Sequence, residues 1–136
     1  MIPEEGRKAN EIQHGGDHYK GAEFQHWDLI SQNHIGYLEG CATKYASRWR
    51  KKNGVEDLKK AIHYVDKLVE VSMEREYRAS GQASRSDLYR FFRENKIEDE
   101  SEQLAITLLC RWKCLDDLLT ARKCLIMILG QAQAAA

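Results

Sequence analysis

The chain has 136 residues, 43% apolar and 31% charged, with 21 Lys and Arg balanced by 21 Asp and Glu. That length fits one domain, and the composition excludes wholesale disorder. With no net charge, attraction to nucleic acid or to an anionic membrane has to come from a local patch.

Residues 1–17 are polar, lack periodicity and run through Gly15-Gly16, which predicts a flexible arm. They hold no apolar run of signal-peptide length, and the longest apolar run, Cys124 to Leu129, is too short to cross a bilayer. The expectation is a protein neither exported nor embedded in a membrane. Phe24, Trp27, Leu29 and Ile30 predict a short helix that Gly36 breaks. Leu38, Cys41, Ala42, Tyr45 and Trp49 then recur at three- and four-residue steps, giving an amphipathic helix. Asn53-Gly54 stops it, and a third helix starts near Val55 with Glu56 and Asp57 in its positive first turn. Its period continues to about Met73 or Tyr77. Residues 79–84 read as a small, polar linker, followed by an aromatic helix around Leu88, Phe91 and Phe92, a helix from about Ser101 to Lys113, and a last one through Leu129.

A faint internal repeat runs through these elements. Shifted by sixty-three residues, Ala42, Arg48 and Trp49 fall on Ala105, Arg111 and Trp112. After a three-residue deletion, Asp57, Leu58 and Ala61 fall on Asp117, Leu118 and Ala121. The expected fold is therefore all-α, a small helical bundle of two helix-turn-helix halves without β-sheet. It divides into the arm (1–17), a module at 18–79, a packing and oligomerisation segment at 80–130, and a tail at 131–136. Lys44 and Tyr45 correspond to Thr107 and Leu108, so the first half is expected to carry the chemistry.

The stretch from Cys41 to Val65 gathers eleven basic, aromatic or His side chains. On a helix Lys44, Arg48 and Lys51 or Lys52 would project from one face, with Tyr45 and Trp49 beside them. Arg48 can grip phosphate through paired donors, and the amides opening the next helix offer a second phosphate seat. Cations beside rings suit a nucleotide. The same residues also fit a solvated basic face over a core holding Tyr45 and Trp49. No GxxxxGK[ST] motif is present, so a P-loop is excluded. Cys41, Cys110, Cys114 and Cys124 show no zinc-ligand spacing, and three of them sit among Leu and Ile as core thiols. His14, His26, His34 and His63 form no HxxxH among themselves and read as surface residues.

HYK at His18 to Lys20, EFQHWDLI at Glu23 to Ile30, and GCATKYASRWRKKNGVEDLKKAIHYVDKL from Gly40 to Leu68 together resemble the SaV-like family of small bacteriophage proteins. That domain also occurs in a phage nucleotide kinase that lacks a P-loop. The resemblance spans roughly His18 to Glu70. Cys41 stands where the family favours Asn, Trp49-Arg50 replace smaller residues, and no Pro precedes His18.

The resemblance implies a nucleotide-binding protein of the infected host's cytoplasm and, if it is an enzyme, a phosphotransferase acting on deoxynucleoside monophosphates. Tyr19, Lys44, Tyr45, Arg48, Trp49, Lys51 and Lys52 are the expected nucleotide and phosphate contacts. His18 is the candidate for proton transfer, the role for which imidazole is the side chain suited in general. Asp28 and Asp57 are candidates for holding Mg2+ between the phosphates of a triphosphate donor; each also reads as a helix cap or a Lys partner. The apolar last helix calls for a cover, either the rest of the chain or a second copy, and a homo-oligomer is expected. The alternatives are a protein that sequesters a nucleotide without turnover, or an adaptor binding host protein or nucleic acid through Arg48 to Lys60.

Overall fold

The computed structural model describes residues 8–12 and 22–136. Within them the chain forms six helices: α1 (His26–Gln32), α2 (Tyr37–Arg48), α3 (Val55–Glu74), α4 (Arg85–Glu94), α5 (Glu100–Arg111) and α6 (Leu115–Ala135). No strand occurs among the described residues. The all-α bundle expected from periodicity is the architecture.

Local chemistry sets the helix ends. Ser84 and Asp99 cap α4 and α5, their side chains accepting from the amides of Asp87 and Glu102. Gly54 opens α3 at φ 58° and ψ −131°, a conformation that only glycine adopts without strain. Asp57, in the first turn of α3, reaches back to the amide of Asn53, and Asp117 in α6 reaches back to that of Lys113. These two aspartates are equivalent in the repeat.

The duplication extends to three helices per half, one more than the sequence pattern predicts. Asn33, after α1, donates to the Leu29 carbonyl, and Asn95, after α4, donates to that of Phe91. The next residues, His34 and Lys96, are the two non-glycine residues with positive φ among those described, at 56° and 57°. Ile35 and Ile97 then bond back to Ile30 and Phe92. α1-α2-α3 thus repeats as α4-α5-α6. The halves lock reciprocally: Trp49, following α2, donates to Glu102 of α5, and Trp112, following α5, donates to Glu39 of α2.

Between the halves lies the core. Leu58, Ala61, Val65 and Leu68 of α3 and Leu118, Ala121, Leu125 and Ile128 of α6 are all buried at corresponding positions. Each large aliphatic side chain there contributes about 1.5–3 kcal/mol by leaving water. α1 and α4 pair beside this four-helix core through Phe24, Leu29, Leu88 and Phe91.

Three expectations change. The predicted linker is packed: Ala83 is buried, its amide donates to Cys110, and Arg111 donates to its carbonyl. The predicted tail continues α6 as far as Ala135, and Ala132 packs against Trp49, Leu58 and Ile128. Of the predicted arm, Lys8 to Ile12 lie on α1, where Asn10 bonds Asp28, Glu23 and Trp27. α6 buries one side, through Leu118, Leu125 and Ile128, while Leu119, Ile126 and Met127 are exposed. Among the described residues no helix is long and apolar enough to cross a membrane.

Candidate functional site

α2 and α3 run side by side and bring together residues that neither helix collects alone. The centre is Tyr45, half-buried on α2, whose ring stacks on Tyr64 of α3 with centroids 5.9 Å apart and planes 15° from parallel. Around that centroid stand the guanidinium of Arg48 at 4.7 Å, the Lys60 ammonium at 5.4 Å and the Lys44 ammonium at 5.6 Å. All three cations lie within cation–π range of one ring. Tyr37, 73% exposed, meets Tyr64 edge-on at 6.3 Å. Hydrogen bonding to Tyr37, with the neighbouring Cys41, holds the Tyr64 hydroxyl up at about 12, so it stays a neutral donor through the physiological range.

Asp57 of α3 is bonded to Arg48 of this cluster. It is fully buried, and its oxygens accept from Arg48 Nε at 3.3 Å and from the Asn53 amide at 3.3 Å. Arg48 is thereby oriented by an ion pair at the opening of α3. Lys44 and Lys60 have no carboxylate within ion-pair distance among the described residues.

Behind the cluster lies His26. Its Nε2 is 2.8 Å from Thr43 Oγ1, whose own hydroxyl donates to the Glu39 carbonyl at 2.8 Å, so the imidazole is the donor and carries its proton on Nε2. Burial, with Lys44 and Arg48 nearby, pulls its pKa down to about 3. The sequence reading as a surface histidine is thus corrected: His26 is a half-buried, neutral spacer between α1 and α2.

The expected phosphate contacts divide. Lys44, Tyr45 and Arg48 come together as the helical spacing requires. Lys51 does not join them, because α2 ends at Arg48 and a 3-10 turn over Trp49–Lys51 carries its ammonium to the Asn95 carbonyl at 2.9 Å. Lys52, beyond that turn, is exposed. Trp49 is only 9% exposed, packed on Leu58 and Ile128, bonded to Glu102 and covered by Arg50, so its ring is part of the core. Asp28 accepts from Asn10 and from the Gln25 amide, the capping role weighed for it. No three His, Cys, Asp or Glu among the described residues are grouped to hold a metal ion. His18 and Tyr19 lie outside the described residues.

Lys60, Tyr64 and Tyr37 complete the cluster without having been expected as contacts. Their signal was present: Lys60 and Tyr64 are one helical turn apart on α3, and so are Tyr37, Cys41 and Tyr45 on α2. What spacing within each helix leaves open is which stripe of α3 faces which stripe of α2.

Residues 13–66 match a family described as a protein of unknown function (DUF3310). That segment contains Tyr37, Lys44, Tyr45, Arg48, Asp57, Lys60 and Tyr64. Neither a curated protein nor a solved structure matches the chain.

Proposed function

We propose that the α2–α3 face binds a nucleotide, its phosphates neutralised by Lys44, Arg48 and Lys60 and its base laid against the open ring of Tyr37. The observation that carries this reading is the placement of three cationic groups around Tyr45, with two of the three lacking a carboxylate partner among the described residues. Like charges gathered on one face repel, and a bound polyanion relieves that repulsion.

The resemblance to the SaV-like family extends the proposal to phosphoryl transfer from a triphosphate donor to a deoxynucleoside monophosphate. Positioning and charge neutralisation supply most of the catalysis in such transfers, and the cationic cluster offers both. His18 and Tyr19 would complete the site. A bacteriophage origin and the host cytoplasm rest on the same resemblance. Self-association through Leu119, Ile126 and Met127 is checked by light scattering, where a monomeric mass excludes it.

Thermal melting against nucleoside mono-, di- and triphosphates tests the binding site. A ligand at about 100 times its dissociation constant adds about 2.7 kcal/mol of stability. Lys44→Ala/Lys60→Ala is the informative variant, because removing Arg48 would strand the buried Asp57 and lower stability by itself. Stabilisation that disappears in the double variant supports the site; no shift with any nucleotide removes it. Turnover of a deoxynucleoside monophosphate with a triphosphate donor then separates a kinase from a protein that only sequesters its ligand.

A further inference from the structure

A second basic and aromatic surface lies on α4, outside the segment 13–66 and apart from the Tyr45 cluster. Steps of four residues place Arg85, Tyr89 and Arg93 on one face of that helix. Lys96 follows just past its end, in the left-handed conformation. All four are exposed, Tyr89 by 67%. Arg93 lies 5.7 Å from the Tyr89 ring centroid, and no carboxylate pairs with Arg85, Arg93 or Lys96 among the described residues. The helix's own acids are engaged elsewhere. Asp87 accepts from Asn33 at 2.9 Å, and Glu94 is held by Arg90 and the Phe24 amide. The outer face therefore carries three cations without an ion-pair partner among the described residues.

Tyr89, Arg93 and Lys96 also line a cleft of about 540 Å³ floored by Phe92 and Ile97, with Glu98 its one acid. Folding does not demand this chemistry. The duplication places Glu23, Trp27, Ser31 and His34 of the first half at the positions of Arg85, Tyr89, Arg93 and Lys96. An exposed aromatic is common to both halves, since Trp27 is also exposed, but the equivalent positions Glu23, Ser31 and His34 hold no Lys or Arg.

We propose that this face of α4 binds single-stranded nucleic acid, one base stacking on Tyr89 in the cleft while Arg85, Arg93 and Lys96 take the flanking phosphates. A row of cations tracking a backbone beside an aromatic platform is the general device for single strands. A polymer fits better than a mononucleotide because the cations lie on both sides of the ring. Arg85 and Arg93 are separated by about 12 Å at 1.5 Å per residue, and a mononucleotide carries phosphate on one side of its base only.

The test is fluorescence anisotropy of the full chain with labelled oligothymidylate and oligouridylate of about ten nucleotides, a length within the usual site size of such surfaces, across a salt series. Binding of either strand is expected, weakening as salt rises. Tyr89→Ala is expected to weaken it about tenfold. Arg85→Ala and Arg93→Ala should each lower the salt slope by about 0.7. These residues are exposed, so unchanged melting temperatures will show that the variants fold. No binding at low salt, or binding unaffected by Tyr89→Ala and Arg93→Ala, overturns the proposal. So does binding that Lys44→Ala/Lys60→Ala abolishes, which would assign the strand to the α2–α3 face. Loss of nucleotide binding at that face leaves this outcome untouched, so the two sites fail separately.

Discussion

The indole of Trp112 donates to the Glu39 carboxylate at 2.8 Å, tying the residue after α5 to the first turn of α2. Its counterpart, Trp49 on Glu102, is backed by two hydrogen bonds from Arg50, whereas Glu39 has the Tyr77 hydroxyl. Losing the indole donor therefore leaves Glu102 beside a guanidinium and Glu39 with one neutral side-chain partner. Both Trp→Phe variants should destabilise, Trp112→Phe by about 1–3 kcal/mol more than a packing loss alone and Trp49→Phe by less. Urea unfolding of the two variants compares them; equal losses would show that Arg50 does not compensate.

Those pairs also explain what could be read in advance. The repeat was visible in Ala42, Arg48 and Trp49 against Ala105, Arg111 and Trp112, because identical side chains survive at equivalent positions. Glu39 and Glu102 obey the same shift, but nothing local marks a helical Glu as buried until its indole partner arrives from the other half. α1 and α4 match through Asn33 with Asn95, Ile35 with Ile97 and the positive φ at His34 and Lys96, identities too few to stand out in the sequence, and offset by sixty-two residues rather than sixty-three. The site divides the same way. Lys44, Tyr45 and Arg48 follow from one helix's period, Lys60 and Tyr64 depend on the register between helices, and Lys51 leaves because the helix tightens into a 3-10 turn.

His26 predicts an acid-sensitive fold. Its folded pKa of about 3 is below the ordinary 6.5, so the unfolded chain takes up the proton first as pH falls. The stability contributed by keeping this ring neutral is complete above about pH 6.5 and declines toward pH 3, by at most about 1.4 kcal/mol per unit. His26→Gln removes the titration, so the difference in stability between wild type and variant should change with pH across that window. A constant difference from pH 7 to pH 4 would contradict the burial of an uncharged ring.

Asp57 is committed to Arg48 and Asn53. Asp57→Ala removes an acceptor from the Arg48 guanidinium and from the Asn53 amide at the opening of α3, and a loss of about 3 kcal/mol is expected for breaking such a buried pair. Added Mg2+ should not change the wild-type melting temperature in the absence of nucleotide, since these oxygens are already used. A magnesium-dependent rise that Asp57→Ala eliminates would instead make Asp57 a ligand.

The packed segment before α4 has its own sensitive point. A Cβ on Gly81 would clash with the carbonyl oxygens of Asn33 and His34, so the backbone has to move to admit it. Gly81→Ala is expected to destabilise by about 2 kcal/mol or more, in the range of overpacked sites. Amide hydrogen exchange should rise at Ala83, whose amide donates to the Cys110 carbonyl. Unchanged stability would mean that this segment does not pack against the turn after α1.

Lys51 and Lys60 offer the sharpest contrast within the nucleotide proposal. Both are exposed lysines of the same basic stretch, and sequence spacing favoured Lys51 as the contact. Lys51 is occupied by the Asn95 carbonyl, on the side toward α4, while Lys60 stands 5.4 Å from the Tyr45 centroid with Lys44 and Arg48. Lys60→Ala should therefore weaken nucleotide binding about tenfold, the effect of one charge-assisted hydrogen bond. Lys51→Ala should leave affinity within about twofold, because a screened charge outside the cluster contributes little. Isothermal titration of both variants decides the register. Equal losses would mean that the ligand spans the end of α2 rather than the groove between α2 and α3, and the reverse order would return the contact to Lys51.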